Sequence, residues 1–301
     1  MPRDRTNVAL VAARREYGVH VGSVRDRTLE HRFWTLGQAS FRVRRLVRGT
    51  ARLNARTDSG LYRHSSKFFV VFLALMVWAF WPSYFTRLFE QPSFWFHAHG
   101  IVLTLWCVLL VVQAQLIRTG RRGWHRWLGQ SSYVLAPAVV IITTVFVHYR
   151  LAPALRGVAV LPPAGLHFLA LTLISIVAFA LFYALAIWFR RDAQVHARWM
   201  ACTVFTIVTP VTDRLIGAHF QPLIAFVPRI DGNPILPAAG FLLADLVLAA
   251  LIVWDWRANR RFGVFPVALG VLLVYHVGTL TLHRAPLWNA FCVWFLGLPL
   301  P

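Results

Sequence analysis

Residues 94–117 read FWFHAHGIVLTLWCVLLVVQAQLI, a stretch with no Asp, Glu, Lys or Arg. As an α-helix rising ~1.5 Å per residue, such a stretch covers the ~30 Å hydrocarbon core of a bilayer. Four other uncharged stretches of similar length lie at 68–86, 127–149, 166–189 and 264–282. Two more are interrupted by charge: 199–218, which carries Asp213 and Arg214, and 234–254, which carries Asp245. The reading is an all-α, polytopic membrane protein with seven transmembrane helices in a single domain over 67–301. The last stretch, 285–301, has Pro286 near its start and would be only ~25 Å long as a helix, so it is expected to be a short interfacial helix.

The composition agrees. Of 301 residues 58% are hydrophobic and the mean hydropathy is +0.58, which excludes an ordinary soluble domain, where about half the residues are apolar. Lys and Arg total 31 against 11 Asp and Glu, a formal net charge of +20, and Lys67 is the only lysine. These basic residues stand between apolar runs or within the first 66 positions, not as a patch on an aqueous surface, so nucleic acid is not an expected partner. The expected partners are the lipid bilayer and either a small apolar ligand or another membrane protein. Residues 1–66 read as an Arg-rich cytoplasmic tail without fixed structure; the alternative is that translation begins further on. The first apolar segment is expected to insert as an uncleaved anchor. Cys107, Cys202 and Cys292 lie in apolar segments with no CxxC pair and read as small apolar residues.

Loop charge sets the orientation. Arg118, Arg121, Arg122 and Arg126 follow the second segment; Arg190, Arg191 and Arg198 follow the fourth; Arg257, Arg260 and Arg261 follow the sixth. With seven helices these loops share a side with the basic tail, which places the amino terminus in the cytoplasm. Trp78, Trp81, Trp95, Trp124, Trp127, Trp188, Trp199, Trp254 and Trp256 fall near the expected ends, as aromatic belts do.

On this topology the histidines form two layers. His125 and His196 lie among the cytoplasmic arginines, whereas His97, His99, His148, His167, His219, His276 and His283 gather at the outer ends. Imidazole ligates zinc, copper and haem iron, so histidines at one depth are candidate ligands. His99, His167 and His276, on three different segments, are the first candidates. His99, Trp106 and Gln113 recur every seven residues, which keeps them in one stripe that is costly against lipid and is expected to face the interior. Asp245 is deep in its segment, where an unpaired carboxylate costs several kcal/mol. Counting rises from the helix ends puts His276 at similar depth, as a partner in either a proton relay or a structural clasp. Asp213 is expected to turn inward toward Thr206 and Thr209 while Arg214 snorkels outward.

His99-Gly100, Trp106, Gln113 and His125-Arg126-Trp127-Leu128-Gly129, with the later Arg190-Arg191, His196-Ala197-Arg198-Trp199-Met200, Arg214 and Trp254-Asp255-Trp256, resemble a family of bacterial inner-membrane proteins of unassigned activity. The likeness spans about 68–296 and implies a shared fold and a multi-pass bacterial inner-membrane location, but no reaction. His125 to Gly129 is also similar to an element that opens helices of transmembrane di-haem cytochromes b. That similarity implies haem b held by histidines at both faces, for which His125 and His196 inside and His99, His167 and His276 outside form the inventory. Ser93 to His97 resembles the Ser-x-x-x-His element of seven-helix zinc hydrolases. This implies zinc held by His97, His99, His276 and His283, although the third segment lacks the Asp that family carries.

Overall fold

The computed structural model describes residues 59–90, 93–155, 161–230, 232–260 and 262–300, all within the compact unit Arg56–Pro301. The described elements are α1 (Ser59–Phe80), α2 (Phe94–Arg118), α3 (Arg122–Gly129), α4 (Ser132–Leu155), α5 (Pro163–Trp188), α6 (Ala193–His219), α7 (Pro237–Asn259), α8 (Val264–Thr281) and α9 (Pro286–Leu296). Short 3-10 turns follow α1, α6 and α8, and a two-stranded antiparallel ribbon, β1 (Arg229–Ile230) and β2 (Asn233–Pro234), precedes α7. The fold is all-α in its bulk. The expectation of an unstructured tail falls over 1–58 outside the described residues, while 59–66 form the first turns of α1.

Among the described residues six segments are long and apolar enough to cross a membrane: Phe94–Arg118, Arg122–Pro153, Pro163–Trp188, Ala193–His219, Pro237–Asn259 and Val264–Arg284. The first segment is helical as well, with a shorter apolar section, His64–Phe80. The third segment begins with a separate short helix: α3 carries the arginines and His125, and the apolar α4 follows after Ser131. Gly120, in the left-handed region at φ 74°, turns the chain between α2 and α3.

α6 is central. It packs against α1, α2, α5, α7 and α8, and the outer helices follow one another around it in the order α1, α2, α4, α5, α8, α7. Half of its span is buried, against 22–39% in the other five spans. A helix surrounded by other helices has little lipid to satisfy, so it tolerates the buried polar residues Arg198, Thr203, Thr206 and Thr209 and is the least apolar of the six. Gly240 of α7 permits the closest approach: a Cβ there would lie 2.8 Å from the Thr209 Cα of α6.

The outer faces are apolar. Val134, Ile141, Val177, Leu246 and Val274 are each more than half exposed, whereas Gln113, Thr203, Asp255, Asn259, His276 and Thr279 are buried. In water this distribution would expose apolar area on every side; in a bilayer it is the arrangement of lowest cost. The helices are therefore compatible with an integral membrane protein, and their outward faces suggest contact with lipid. Trp188, Trp127 and Trp124 sit exposed at helix ends as the belt expectation requires, but Trp199 does not: it is 5% exposed and stacks on Phe182 with ring centroids 5.7 Å apart.

The last helix, α9, has 11 residues. It packs on α4 and α5 and buries Cys292, Phe295 and Leu296 in a small second core with Val147, Leu166 and Leu169. Trp288 Nε1 donates to Leu166 O at 3.2 Å, and Leu161 N donates to Asn289 Oδ1 at 3.1 Å. Burial pushes the Cys292 thiol up to about 12, so it stays protonated and behaves as the small apolar residue expected.

Candidate functional site

The stripe on α2 faces the interior. Trp106 is fully buried, donates from Nε1 to Thr203 Oγ1 of α6 at 3.2 Å, and meets Phe179 and Tyr183 of α5 edge-on at 5.0 and 5.6 Å. Gln113 follows seven residues, about two helical turns, further along the same face. With its amide nitrogen toward α3, Gln113 donates to His125 Nδ1 and, at 3.1 Å, to the His125 carbonyl, while its oxygen accepts from Gly129 N at 3.0 Å. Gln113 thus clasps the backbone of α3 at both ends of the His-Arg-Trp-Leu-Gly element. The wide separation of those motif residues in sequence has a local structural cause.

The second histidine at this end of the bundle also serves the backbone. His196 Nδ1 donates to Ala186 O at 2.8 Å and ties the start of α6 to the end of α5. The Asp192 carboxylate caps α6 by accepting from Gln194 N and Val195 N at 3.0 and 3.1 Å. His125 and His196 are near enough to interact electrostatically. Beside them lies a cluster that the sequence reading missed. Arg198, taken there as a loop residue, is inside α6 and 2% exposed; its Nε and Nη2 donate to the two carboxylate oxygens of Asp255 on α7 at 3.0 and 2.7 Å. Asn259, one turn after Asp255, donates to the same carboxylate at 2.7 Å.

At the opposite end the expected partner of Asp245 is in place: His276 Nδ1 lies 3.2 Å from Asp245 Oδ2, and the imidazole stacks on Phe241 at 4.0 Å. Replacing Asp245 with Asn keeps an acceptor for His276 and is expected to leave stability within about 1 kcal/mol, whereas Leu strands the Nδ1 donor and is expected to cost about 1–3 kcal/mol. Detergent-unfolding titrations of both variants check this, and equal losses would show that the hydrogen bond contributes nothing.

The remaining histidines at this end are held separately. His99 pairs with Thr143 of α4 at 3.2 Å and stacks on Phe146 at 4.3 Å. His167 of α5 donates from Nδ1 to Thr279 O at 2.8 Å, and its ring stacks on His283 with centroids 4.1 Å apart. His97 meets Tyr84 at 3.4 Å, and His148 is buried edge-on to Phe295 at 5.4 Å. Among the described residues no three His, Cys, Asp or Glu side chains come together in a way that would hold a metal ion. The zinc set His97, His99, His276 and His283 is therefore not assembled: the first two engage Tyr84 and Thr143, and the last two engage Asp245 and His167. Nor does the stacked His167–His283 pair suit haem, since axial ligation needs two ring nitrogens aimed at one iron from opposite faces of a macrocycle, and these rings lie face to face.

What this half of the bundle does contain, among the described residues, is a set of buried polar atoms without hydrogen-bond partners. On α5 to α8 these include Asp213 Oδ1 on α6, Asp245 Oδ1 on α7, His167 Nε2 on α5, and Tyr275 Oη, His276 Nε2 and Thr279 Oγ1 on α8. Tyr275, His276 and Thr279 fall on one face of α8 by their spacing of three and four, and Tyr275 is buried beside Thr209, Ser175 and Asp213. Asp213, expected to turn toward Thr206 and Thr209, is near enough to Tyr275 of α8 to interact with it electrostatically.

No protein-family model, curated protein or solved structure matches the chain. The class that the fold defines is an apolar helical bundle, compatible with a multi-pass membrane protein, whose mainly apolar core encloses a minority of buried polar side chains.

Proposed function

We propose that the chain is a seven-span integral protein of a bacterial inner membrane, with its amino terminus in the cytoplasm, that binds a small, mainly apolar molecule bearing hydrogen-bonding oxygens, such as a quinone or quinol. The observation that carries the ligand reading is the set of six partnerless polar atoms on α5, α6, α7 and α8. Each costs about 1–3 kcal/mol if left unsatisfied, a debt large enough to favour occupancy by water or a ligand. Their chemistry is mixed. The Tyr275 and Thr279 hydroxyls donate to a carbonyl, while neutral His276, with Nδ1–H directed at Asp245, accepts at Nε2 from a hydroxyl. This reading is preferred to zinc because among the described residues no three His, Cys, Asp or Glu side chains come together to hold a metal ion, and haem b, which needs only two imidazoles, is the competing outcome of the test below.

Two features support the topology. α1 has 22 residues, about 33 Å of helix, and packs along α2 and α6. If it spans, the basic residues before it share a side with the arginines between α2 and α4, α5 and α6, and α7 and α8. Reporter fusions after Arg122 and Arg260 are expected to read cytoplasmic and one after Pro162 external. An external reading at Arg260 overturns the helix count.

The ligand reading is tested on the full chain purified in mild detergent, by mass spectrometry of the solvent extract together with reduced-minus-oxidised visible spectra and metal analysis. A co-purifying quinone, diminished in the Tyr275→Phe/His276→Gln variant, is the expected result. A Soret band at one haem per chain, or stoichiometric zinc, overturns it.

A further inference from the structure

A second group of charges sits at the same end of the bundle but on its other side, where α1, α2, α4 and α6 end or begin. The Arg214 guanidinium carbon lies 4.6 Å from the Phe80 ring centroid, and that of Arg150 lies 5.8 Å from the centroid of Phe96. Phe96 meets Phe146 edge-on at 5.0 Å, and Phe146 stacks on His99 at 4.3 Å. The aromatic chain thus links Arg150 to His99, and Arg214 is near enough to interact with both. Only Asp213, the neighbour of Arg214 in sequence, offsets these charges. Among the described residues neither guanidinium forms an ion pair within 4.0 Å; the ion pairs present are Arg198–Asp255 and His276–Asp245.

Two guanidinium groups held over phenyl rings, close enough to repel each other and without a carboxylate in salt-bridge contact, are an arrangement that an anion stabilises. A guanidinium is a planar fork of donors that matches a phosphate bidentately; Arg214 keeps donors beyond the Nη1 that reaches Pro210 O at 3.5 Å. His99, whose Nδ1 lies 3.2 Å from Thr143 Oγ1, adds a third donor in the tautomer that takes the Thr143 hydroxyl at Nδ1 and carries its hydrogen on Nε2. The site lies at a bundle end, where lipid headgroups meet the apolar faces, and its walls are aromatic. We propose that Arg150, Arg214 and His99 form a binding site for a phosphate-type oxyanion, either the phosphodiester of an anionic phospholipid or inorganic phosphate. The anion reading does not rest on the ligand reading for α5 to α8, although Asp213, which supplies one of those six atoms, is also the neighbour of Arg214.

The test uses the full chain in phosphatidylcholine nanodiscs, with the thermal midpoint measured alone, with one quarter phosphatidylglycerol, and with added inorganic phosphate. Phosphatidylglycerol is expected to raise the midpoint by several degrees; a comparable rise with phosphate also upholds the site and assigns the free ion as a source. The Arg150→Gln/Arg214→Gln variant is expected to lose most of the rise, and Arg260→Gln, at the opposite end, to keep it. No rise from either anion, or a full rise in the double variant, overturns the proposal. If that variant does not fold, Arg150→Lys/Arg214→Lys keeps the charge without the fork and is expected to bind phosphatidylglycerol about tenfold more weakly. Equal affinity overturns the proposal as well.

Discussion

Replacing Arg198 with alanine is expected to destabilise the bundle by about 3–5 kcal/mol, because removal of one partner leaves the other charge buried and uncompensated. Asp255 is 3% exposed and accepts from both Arg198 and Asn259, so no solvent takes the place of the lost guanidinium. Arg198→Lys keeps the charge, but an ammonium cannot reproduce the two parallel bonds at 3.0 and 2.7 Å to the two carboxylate oxygens. Its loss is expected to fall between those of the wild type and the alanine variant. Arg198→Met with Asp255→Leu removes both charges and is expected to recover much of the alanine loss, since a buried ion pair is often no better than apolar residues of similar volume. Unfolding in a denaturing detergent, followed by circular dichroism, measures all three. If Arg198→Ala alone costs under 1 kcal/mol, the pair is solvated and the buried geometry is not what holds α6 to α7.

The fold was legible in the sequence wherever lipid dictates composition. A helix with lipid along one side must be uncharged over a bilayer's thickness, and the uncharged stretches at 94–117, 127–149, 166–189 and 264–282 correspond to α2, α4, α5 and α8. α6 was the least legible. It faces neighbours rather than lipid, so it carries Arg198 within its length, and its start at Ala193 was read as a loop ending near Trp199. Helix adjacency was hidden for a related reason. When the outward face is as apolar as the inward one, hydrophobic periodicity no longer says which side is inside.

The polar interior was legible where one residue was costly enough to demand a partner. Asp245 stood alone in an apolar helix, and matching depths selected His276. Arg198 and Asp255 escaped because each resembled something cheaper, a loop arginine and a helix-end acid between two tryptophans. The signal available was Asp255 and Asn259 one turn apart, a polar face at the end of an otherwise apolar helix. The histidines misled in the opposite direction: shared depth suggested convergence, but depth fixes only one coordinate. Around a ring of helices, His99 on α2 and His276 on α8 have different neighbours, Thr143 on α4 and Asp245 on α7.

Trp106→Ala is expected to cost about 3 kcal/mol, and the reason differs from that in a soluble core. Helices separated in a bilayer remain in an apolar solvent, so little transfer energy is lost when the indole is removed. The cavity term persists: roughly 140 Å³ of missing volume at about 24 cal/mol per Å³ amounts to about 3 kcal/mol. Trp106 is 0% exposed and sits where α2 meets α5 and α6, with Phe179 and Tyr183 on its faces, so the void has no route to refill from lipid. Trp106→Phe removes the Nε1 donor but retains most of the ring contacts. Thr203 still donates to Met200 O at 2.7 Å, so its hydroxyl keeps a partner, and the expected loss is about 1 kcal/mol. The two variants therefore separate packing from hydrogen bonding, and the same detergent titration reads both. Equal losses in Ala and Phe would mean that the bond to Thr203 dominates. A loss under 1 kcal/mol in Ala would mean that α2 and α6 do not close on the indole, and the interior placement of the His99, Trp106 and Gln113 stripe would fall with it.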